Sequence, residues 1–333
     1  MKYGSKTIKS FVAAGAILVG SHASALSAQI TDFVFMIDAT GSMGGEIAGV
    51  RNGFSSFVGG LNAASVDARF AVVVFGGASE LTLDFTSDTA ATQAALNAIT
   101  LSANPGIQNN HNVNPEAGLE TIRQVLGAAP NSTLDANNIA ADGNLYSRFR
   151  SGARKNLILV TDEDSDAAYR AANRFAGQPG FGGTDGYAGD SPTTLTAGWQ
   201  AEVDATAQAV IQSQAYLNML VGLEGSSEQQ YGDYRDDVAD ADLLNFDGAA
   251  TLANLLADSE TDDSLQAQVL GAGLVARTFN VAGANDSDFI DNFFAAKLEE
   301  VITDPGVLPE PGMIAIFGLG FAGLVCTRRR RPC

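Results

Sequence analysis

The chain has 333 residues, 46% of them apolar and 17% charged. That is long enough for a substantial core and too apolar for a disordered polymer. Its 38 acidic residues outnumber its 19 basic ones, for a formal net charge of -19, and Lys2, Lys6, Lys9 and Arg328 to Arg331 place much of the positive charge at the two ends. The acidic middle repels nucleic-acid phosphates, which excludes that class of partner, and it suits divalent cations or solubility outside a cell. The two cysteines, Cys326 and Cys333, both lie near the C-terminus, so the body of the chain has neither a disulfide framework nor a thiolate zinc site.

Residues 1–28 show the three parts of a secretory signal. Lys2, Lys6 and Lys9 form the basic end, Phe11 to Gly20 is an apolar run too short to span a bilayer, and cleavage fits after Ala25 or Ala28. An N-terminal anchor is the alternative. Thr31 to Asp38 then reads as a strand buried on both faces, because its apolar run does not alternate. A glycine-rich turn leads to a helix with Ile47, Val50, Phe54, Phe57, Val58 and Leu61 inward. Phe70 to Phe75 and Leu81 to Phe85 are predicted strands, and 89–99 a helix. Another helix is predicted to open at Asn114-Pro115, with Leu119, Ile122, Val125 and Leu126 on its apolar face.

Asn156 to Asp162 gives a third buried run, followed by a helix over 195–214 and strands at 216–223 and 278–281. The last helix is predicted over 286–302, with Phe289, Ile290, Phe293, Phe294, Leu298 and Ile302 inward. Strands alternating with helices imply a doubly wound, mostly parallel α/β sheet flanked by helices. The stretches near 128–153 and 176–194 read as long inserted loops, and 224–248 as a third polar region.

In such a sheet ligands bind beyond the carboxyl ends of the strands. Two apolar runs end in aspartate there, Asp38 and Asp162, and Thr40 and Ser42 follow Asp38 on the turn into the first helix. These are hard oxygen donors of the kind Mg²⁺ or Ca²⁺ takes. Each also has a plainer reading, since Ser42 and Asn114 could simply cap helices and Asp38 could simply start a turn.

Asp38-Ala-Thr40-Gly41-Ser42-Met43 resembles the D-x-[ST]-x-S motif of the metal-ion-dependent adhesion site of von Willebrand factor A domains, and Val160-Thr161-Asp162 resembles its distal aspartate motif. Asn114-Pro115-Glu116-Ala117 stands where that family places a loop threonine, so the resemblance brings Asn114 in as a fifth donor. Glu163 replaces a glycine common in the family. The resemblance implies a VWA-like domain over 29–304. In it Thr40 and Ser42 touch a divalent cation, Mg²⁺ first with Ca²⁺ or Mn²⁺ as alternatives, and Asp38 and Asp162 act through water. Such a cation keeps a position open for a carboxylate from a protein or extracellular-matrix partner.

The end of the chain reads Leu308-Pro309-Glu310-Pro311-Gly312, then an apolar stretch, then four arginines. The order resembles the PEP-CTERM sorting signal. The resemblance implies a tail over 305–333 with Pro309, Glu310 and Pro311 as the recognition element of an exosortase-type membrane protease. A short membrane helix at 312–327 would keep its arginines cytoplasmic. A plain C-terminal anchor is the alternative. The G-x-G-x-x-G spelled by Gly318, Gly320 and Gly323 is rejected as a dinucleotide fingerprint, because the chain ends too soon to supply the acidic partner.

Enzyme readings have little to rest on. Beyond the signal, His111 is the sole histidine, and it lies in an asparagine-rich loop. Neither H-E-x-x-H nor G-x-S-x-G occurs. Lys155 and Lys297 sit in no phosphate loop, and Trp199 reads as core. Asp162, Asp164 and Asp166 mimic the start of an EF-hand, but Ala167 and Asn173 occupy positions that need glycine and glutamate. The expectation is a non-enzymatic exported protein of the cell surface or extracellular matrix that recognises a partner through a divalent cation. The alternative is a structural acidic matrix protein whose cation only stabilises the fold.

Overall fold

The computed structural model describes residues 29–76, 79–101, 116–128, 145–165, 197–222, 226–232, 263–280 and 286–303. The signal, His111, Asn114, the loop at 176–194, the EF-hand-like Asp166 and the whole sorting tail lie outside them, as does the side chain of Trp199. Among the described residues no helix is long and apolar enough to cross a membrane. The membrane helix expected at 312–327 is outside that range.

The expected α/β architecture is present. Strands β1 (Ile30–Asp38), β2 (Asp67–Phe75), β3 (Glu80–Thr86), β4 (Arg154–Val160), β5 (Ala215–Val221) and β6 (Ala276–Asn280) form one sheet in the order β3-β2-β1-β4-β5-β6. Every pairing is parallel except β2 with β3. The helices are α1 (Gly44–Ala63), α2 (Thr89–Ala98), α3 (Gly118–Val125), α4 (Ala197–Ser213), α5 (Ser226–Tyr231), α6 (Leu265–Gly271) and α7 (Asp286–Thr303).

β1 lies at the centre and is buried on both faces, which is why its apolar run is continuous. Phe33, Phe35 and Ile37 pack with α1, α2 and α7, while Val34 and Met36 pack with α3, α4 and α6. The first face is built largely from aromatic edges. Phe33 meets Phe57 edge-on at 5.3 Å, and Phe35 meets Phe54 at 5.9 Å and Phe294 at 6.0 Å. α1 and α7 approach so closely that a Cβ at Gly60 would overlap the side chain of Leu298.

At the amino ends of the strands the chain is tied together by charge. Asp32, fully buried on β1, accepts from Arg69 at 2.8 Å and from the Arg150 backbone N–H and Nε at 2.8 Å each. Arg150 also pairs with Asp67 at 2.7 Å. Phe149 packs at a tilt against Phe85, ring centres 4.8 Å apart, so the segment returning from the 128–153 insertion is fastened to the sheet at its far end, away from the carboxyl edge.

Two expectations are corrected. Ile302 faces solvent at 47% exposure and Val301 takes the buried position, because one residue at a helix end turns a side chain by about 100°. The third helix starts at Gly118 rather than at Asn114-Pro115. Ala117 is its cap residue, and Glu116 stays outside the helix, its carbonyl accepting from the Gly118 N–H at 2.8 Å. Two helices were not expected, α5 inside the polar region and α6 before β6.

Candidate metal centre

The carboxyl ends of β1 and β4 are neighbours in the sheet, so Asp38 and the Asp162 that follows Val160 meet on one edge. The approach to α3 adds a third acid there. Carboxylate oxygens of Asp38, Glu116 and Asp162 lie within 4.8 Å of one another. Asp38 is fully buried, Glu116 nearly so and Asp162 half-buried.

Hydrogen bonds fix the two inner acids. Asp38 Oδ1 accepts from the Thr40 backbone N–H at 2.8 Å, which closes the turn after β1. Thr161 Oγ1 reaches Asp38 Oδ2 at 3.0 Å and Glu116 Oε2 at 3.4 Å. The glycine at position 76, at φ +135°, lets the end of β2 pass close to Asp38 and Thr40. Asp162 is set by its backbone. Thr161 N–H donates to the Leu220 carbonyl at 3.0 Å, and Gly222 N–H donates back to the Thr161 carbonyl at 3.3 Å.

Packing the acids together perturbs the protonation of Asp38 and Glu116. Burial pushes Asp38 up to about 6, opposed by hydrogen bonds from Glu116 and Thr40. Glu116 is pushed to about 11, first by burial and then by the charge of Asp38. Both shifts favour a proton held between the two acids, along the hydrogen bond that joins Glu116 and Asp38.

Two further oxygens bear on the site. Among the described residues Thr40 Oγ1 and Asp162 Oδ1 are buried with no group in full hydrogen-bond geometry, Thr40 Oγ1 lying beside the Asp38 carboxylate. Buried polar atoms are ordinarily satisfied, so such a pair beside three acids suits a ligand at that point. A hard cation at about 2.1–2.5 Å from its ligands spans opposite ligands about 4–5 Å apart, which matches the carboxylate spacing. All the donors are oxygens, the set that Mg²⁺, Mn²⁺ or Ca²⁺ accepts. The residues present fit such an ion.

Of the expected donors, Asp38, Thr40 and Asp162 come together here, and Ser42 sits exposed on the same turn. Met43 holds the cap position of α1 and no side chain caps it, so helix capping does not account for Ser42. Asn114 lies outside the described residues. The donor brought in by that loop is Glu116, two residues later, whose acidity just before a helix was the available signal. Glu163 is exposed on the rim.

A von Willebrand factor type A domain family model matches residues 33–164, and a PEP-CTERM protein-sorting motif matches residues 307–331. The first match runs from β1 through the turn after β4 and so contains all three acids. No curated protein matches the chain. Among solved structures, the conserved hypothetical protein BatB from Bacteroides thetaiotaomicron is 14% identical, with a TM-score of 0.37 over 81% of this chain and 99% of that one. The PilB minor pilin from Streptococcus sanguinis is 12% identical, with a TM-score of 0.44 over 86% of this chain and 64% of the pilin. The pilus adhesin SpaC from Lactobacillus rhamnosus GG is 14% identical, with a TM-score of 0.44 over 84% of this chain and 31% of the adhesin.

Proposed function

We propose that this chain, which carries a von Willebrand factor type A domain and a PEP-CTERM sorting motif, is an exported surface or extracellular-matrix protein that binds a partner through a divalent cation. The observation that carries the reading is the convergence of the Asp38, Glu116 and Asp162 carboxylates at the carboxyl edge of the sheet, with Thr40 beside Asp38. Asp38, Thr40, Ser42, Glu116 and Asp162 would hold the ion, Mg²⁺ first. Bound there, the ion supplies a Lewis-acidic position for an oxygen ligand. The protein would orient that ligand on the exposed rim beside Ser42 and Glu163.

A carboxylate remains the ligand best suited to the ion. Three protein carboxylates more than neutralise a divalent charge, however, and the chain is acidic at -19. The partner's carboxylate is therefore expected on an otherwise basic surface. The sorting motif supports export, with processing of Pro309-Glu310-Pro311 by an exosortase-type protease and passage through the membrane.

Adhesion of protein-coated beads to the matrix or cell surface of its source tests the reading. Binding is expected with Mg²⁺, and it is expected to vanish with EDTA and in Asp38→Ala. Binding indifferent to EDTA would overturn it. A cation-dependent melt with no cation-dependent binding would favour instead an acidic matrix protein whose ion only stabilises the fold.

The backbone that sets Asp162 supplies a second test. A Cβ at Gly222 would overlap the Asp162 carbonyl, so Gly222→Ala must displace the turn. Mg²⁺ affinity measured by calorimetry is expected to fall about 10-fold or more, as for other changes behind a ligand. Gly59→Ala, where a Cβ meets nothing within 4 Å, is expected to leave it unchanged.

A further inference from the structure

Helix α5 is short and polar, yet Ser227, Gln229, Gln230 and Tyr231 on it are buried beside the loops of the acid cluster. Gln230 Oε1 accepts from the Ser165 N–H at 2.5 Å, and Gln230 Nε2 donates to the Ser165 carbonyl at 3.2 Å. Ser165 Oγ in turn accepts from the Leu119 N–H in the first turn of α3, at 3.0 Å. Ser227 Oγ donates to the Gly222 carbonyl at 2.9 Å. One six-residue helix thus fastens the Asp162–Ser165 turn to the segment that carries Glu116.

Tyr231 ends that helix and is fully buried, its backbone carbonyl accepting from Thr278 Oγ1 at 3.4 Å. Its hydroxyl reaches under the start of α3, where a Cβ at Gly118 would overlap it. Ser165 lies alongside as its polar neighbour, yet among the described residues no group meets full hydrogen-bond geometry at the hydroxyl. Burial pushes the phenol pKa up, the Ser165 side chain opposes the rise, and the charges of Asp164, Glu116 and Asp38 add to it. An unpartnered hydroxyl in a closed core costs stability, and phenylalanine would fill the same space without that cost. A donor kept there needs a better acceptor in another state of the site. The charges of Asp164, Glu116 and Asp38 all reach it, and Glu116, two residues before Gly118, is the member of the acid cluster on the segment it lies beneath.

We propose that Tyr231 is a positioning residue for the cation site, its hydroxyl donating a hydrogen bond to the Glu116 carboxylate once that carboxylate serves a divalent cation. The inference rests on the cation reading of the acid cluster. It adds to that cluster a residue far along the chain, beyond the matched domain segment at 33–164. In cation sites generally, groups that hydrogen-bond a ligand set its orientation.

The test is Tyr231→Phe in the full chain, read three ways against wild type. Mg²⁺ affinity by calorimetry is expected to weaken about 10-fold. The melting temperature in EDTA is expected to hold level or rise, because an unsatisfied hydroxyl has been removed. Addition of Mg²⁺ is expected to produce a tyrosine ultraviolet difference band in wild type that the variant lacks. An unchanged Mg²⁺ affinity in the folded variant would overturn the proposal. So would a lower melting temperature in EDTA, since the hydroxyl would then be satisfied within the cation-free fold. If wild type itself takes up no Mg²⁺, Mn²⁺ or Ca²⁺, the cation reading fails and this inference fails with it. That outcome is distinct from a wild type that binds and a variant that binds equally well.

Discussion

Saturating Mg²⁺ is expected to raise the melting temperature of the full chain by about 5–10 °C, and Asp38→Ala is expected to erase that rise. An ion at about 100 times its Kd stabilises the state that binds it by about 2.7 kcal/mol, and a domain of this size shifts by about 2–4 °C per kcal/mol. Asp38 is the residue to remove because it stands at the centre of the cluster, fully buried, with Thr40 on one oxygen and Thr161 on the other. Losing those hydrogen bonds lowers the cation-free melting temperature by itself. The quantity to compare is therefore the Mg²⁺-induced shift in each protein, measured by calorimetric melts in Mg²⁺, Mn²⁺, Ca²⁺ and EDTA. A full shift in Asp38→Ala would remove Asp38 from the site. No shift with any ion in wild type would leave an acidic matrix protein that needs no cation.

All six strands were legible in the sequence, the centre of the sheet most plainly because its chemistry is local. A strand buried on both faces must be apolar throughout, so β1 and the core of β4 stand out, and the aspartates that end those runs mark the carboxyl edge. Asp38, Thr40 and Asp162 follow from that alone. Glu116 does not, because what decides the third loop is how far a side chain reaches after the chain has turned. Sequence position pointed to Asn114, which lies outside the described residues, and the late start of α3 at Gly118 adds Glu116, held outside the helix and close to Asp38.

α5 was hidden for a different reason. Ser226–Tyr231 has no apolar periodicity, and it is buried through contacts with Ser165 and Gly118, residues far away in sequence. Intrinsic pattern carries no trace of such burial, so a polar segment that packs as a clasp reads as a loop. The misassigned Ile302 is a smaller instance of the same limit. Periodicity finds the helix, but its last turn is phased by what it packs on.

The acid cluster also predicts an inverted dependence on pH. Glu116 rises from 4.5 to about 11 on folding, and Asp38 from 3.8 to about 6. Between those limits the folded protein holds a proton that the unfolded chain has lost, so these groups stabilise the cation-free fold at low pH and cease to as pH rises. From pH 5 to 7.5 Glu116 acts throughout, and Asp38 adds its part below about 6. The slope reaches at most about 1.4 kcal/mol per pH unit for each proton. Buried Lys297 works the other way, since burial lowers it from 10.5 to about 8, but its gain in stability comes above that window.

Glu116→Gln keeps the shape and a donor toward Asp38 while removing the titration. The measurement is the difference in melting temperature between wild type and Glu116→Gln in EDTA, taken from pH 5 to 7.5. Wild type is expected to lose ground steadily against the variant as pH rises. Saturating Mg²⁺ is expected to reverse that trend, because cation ligands must be deprotonated and binding tightens with pH. Parallel curves for the two proteins in EDTA would mean that Glu116 is already ionised in the cation-free cluster, and the cluster would then lack the proton exchange on which this prediction depends.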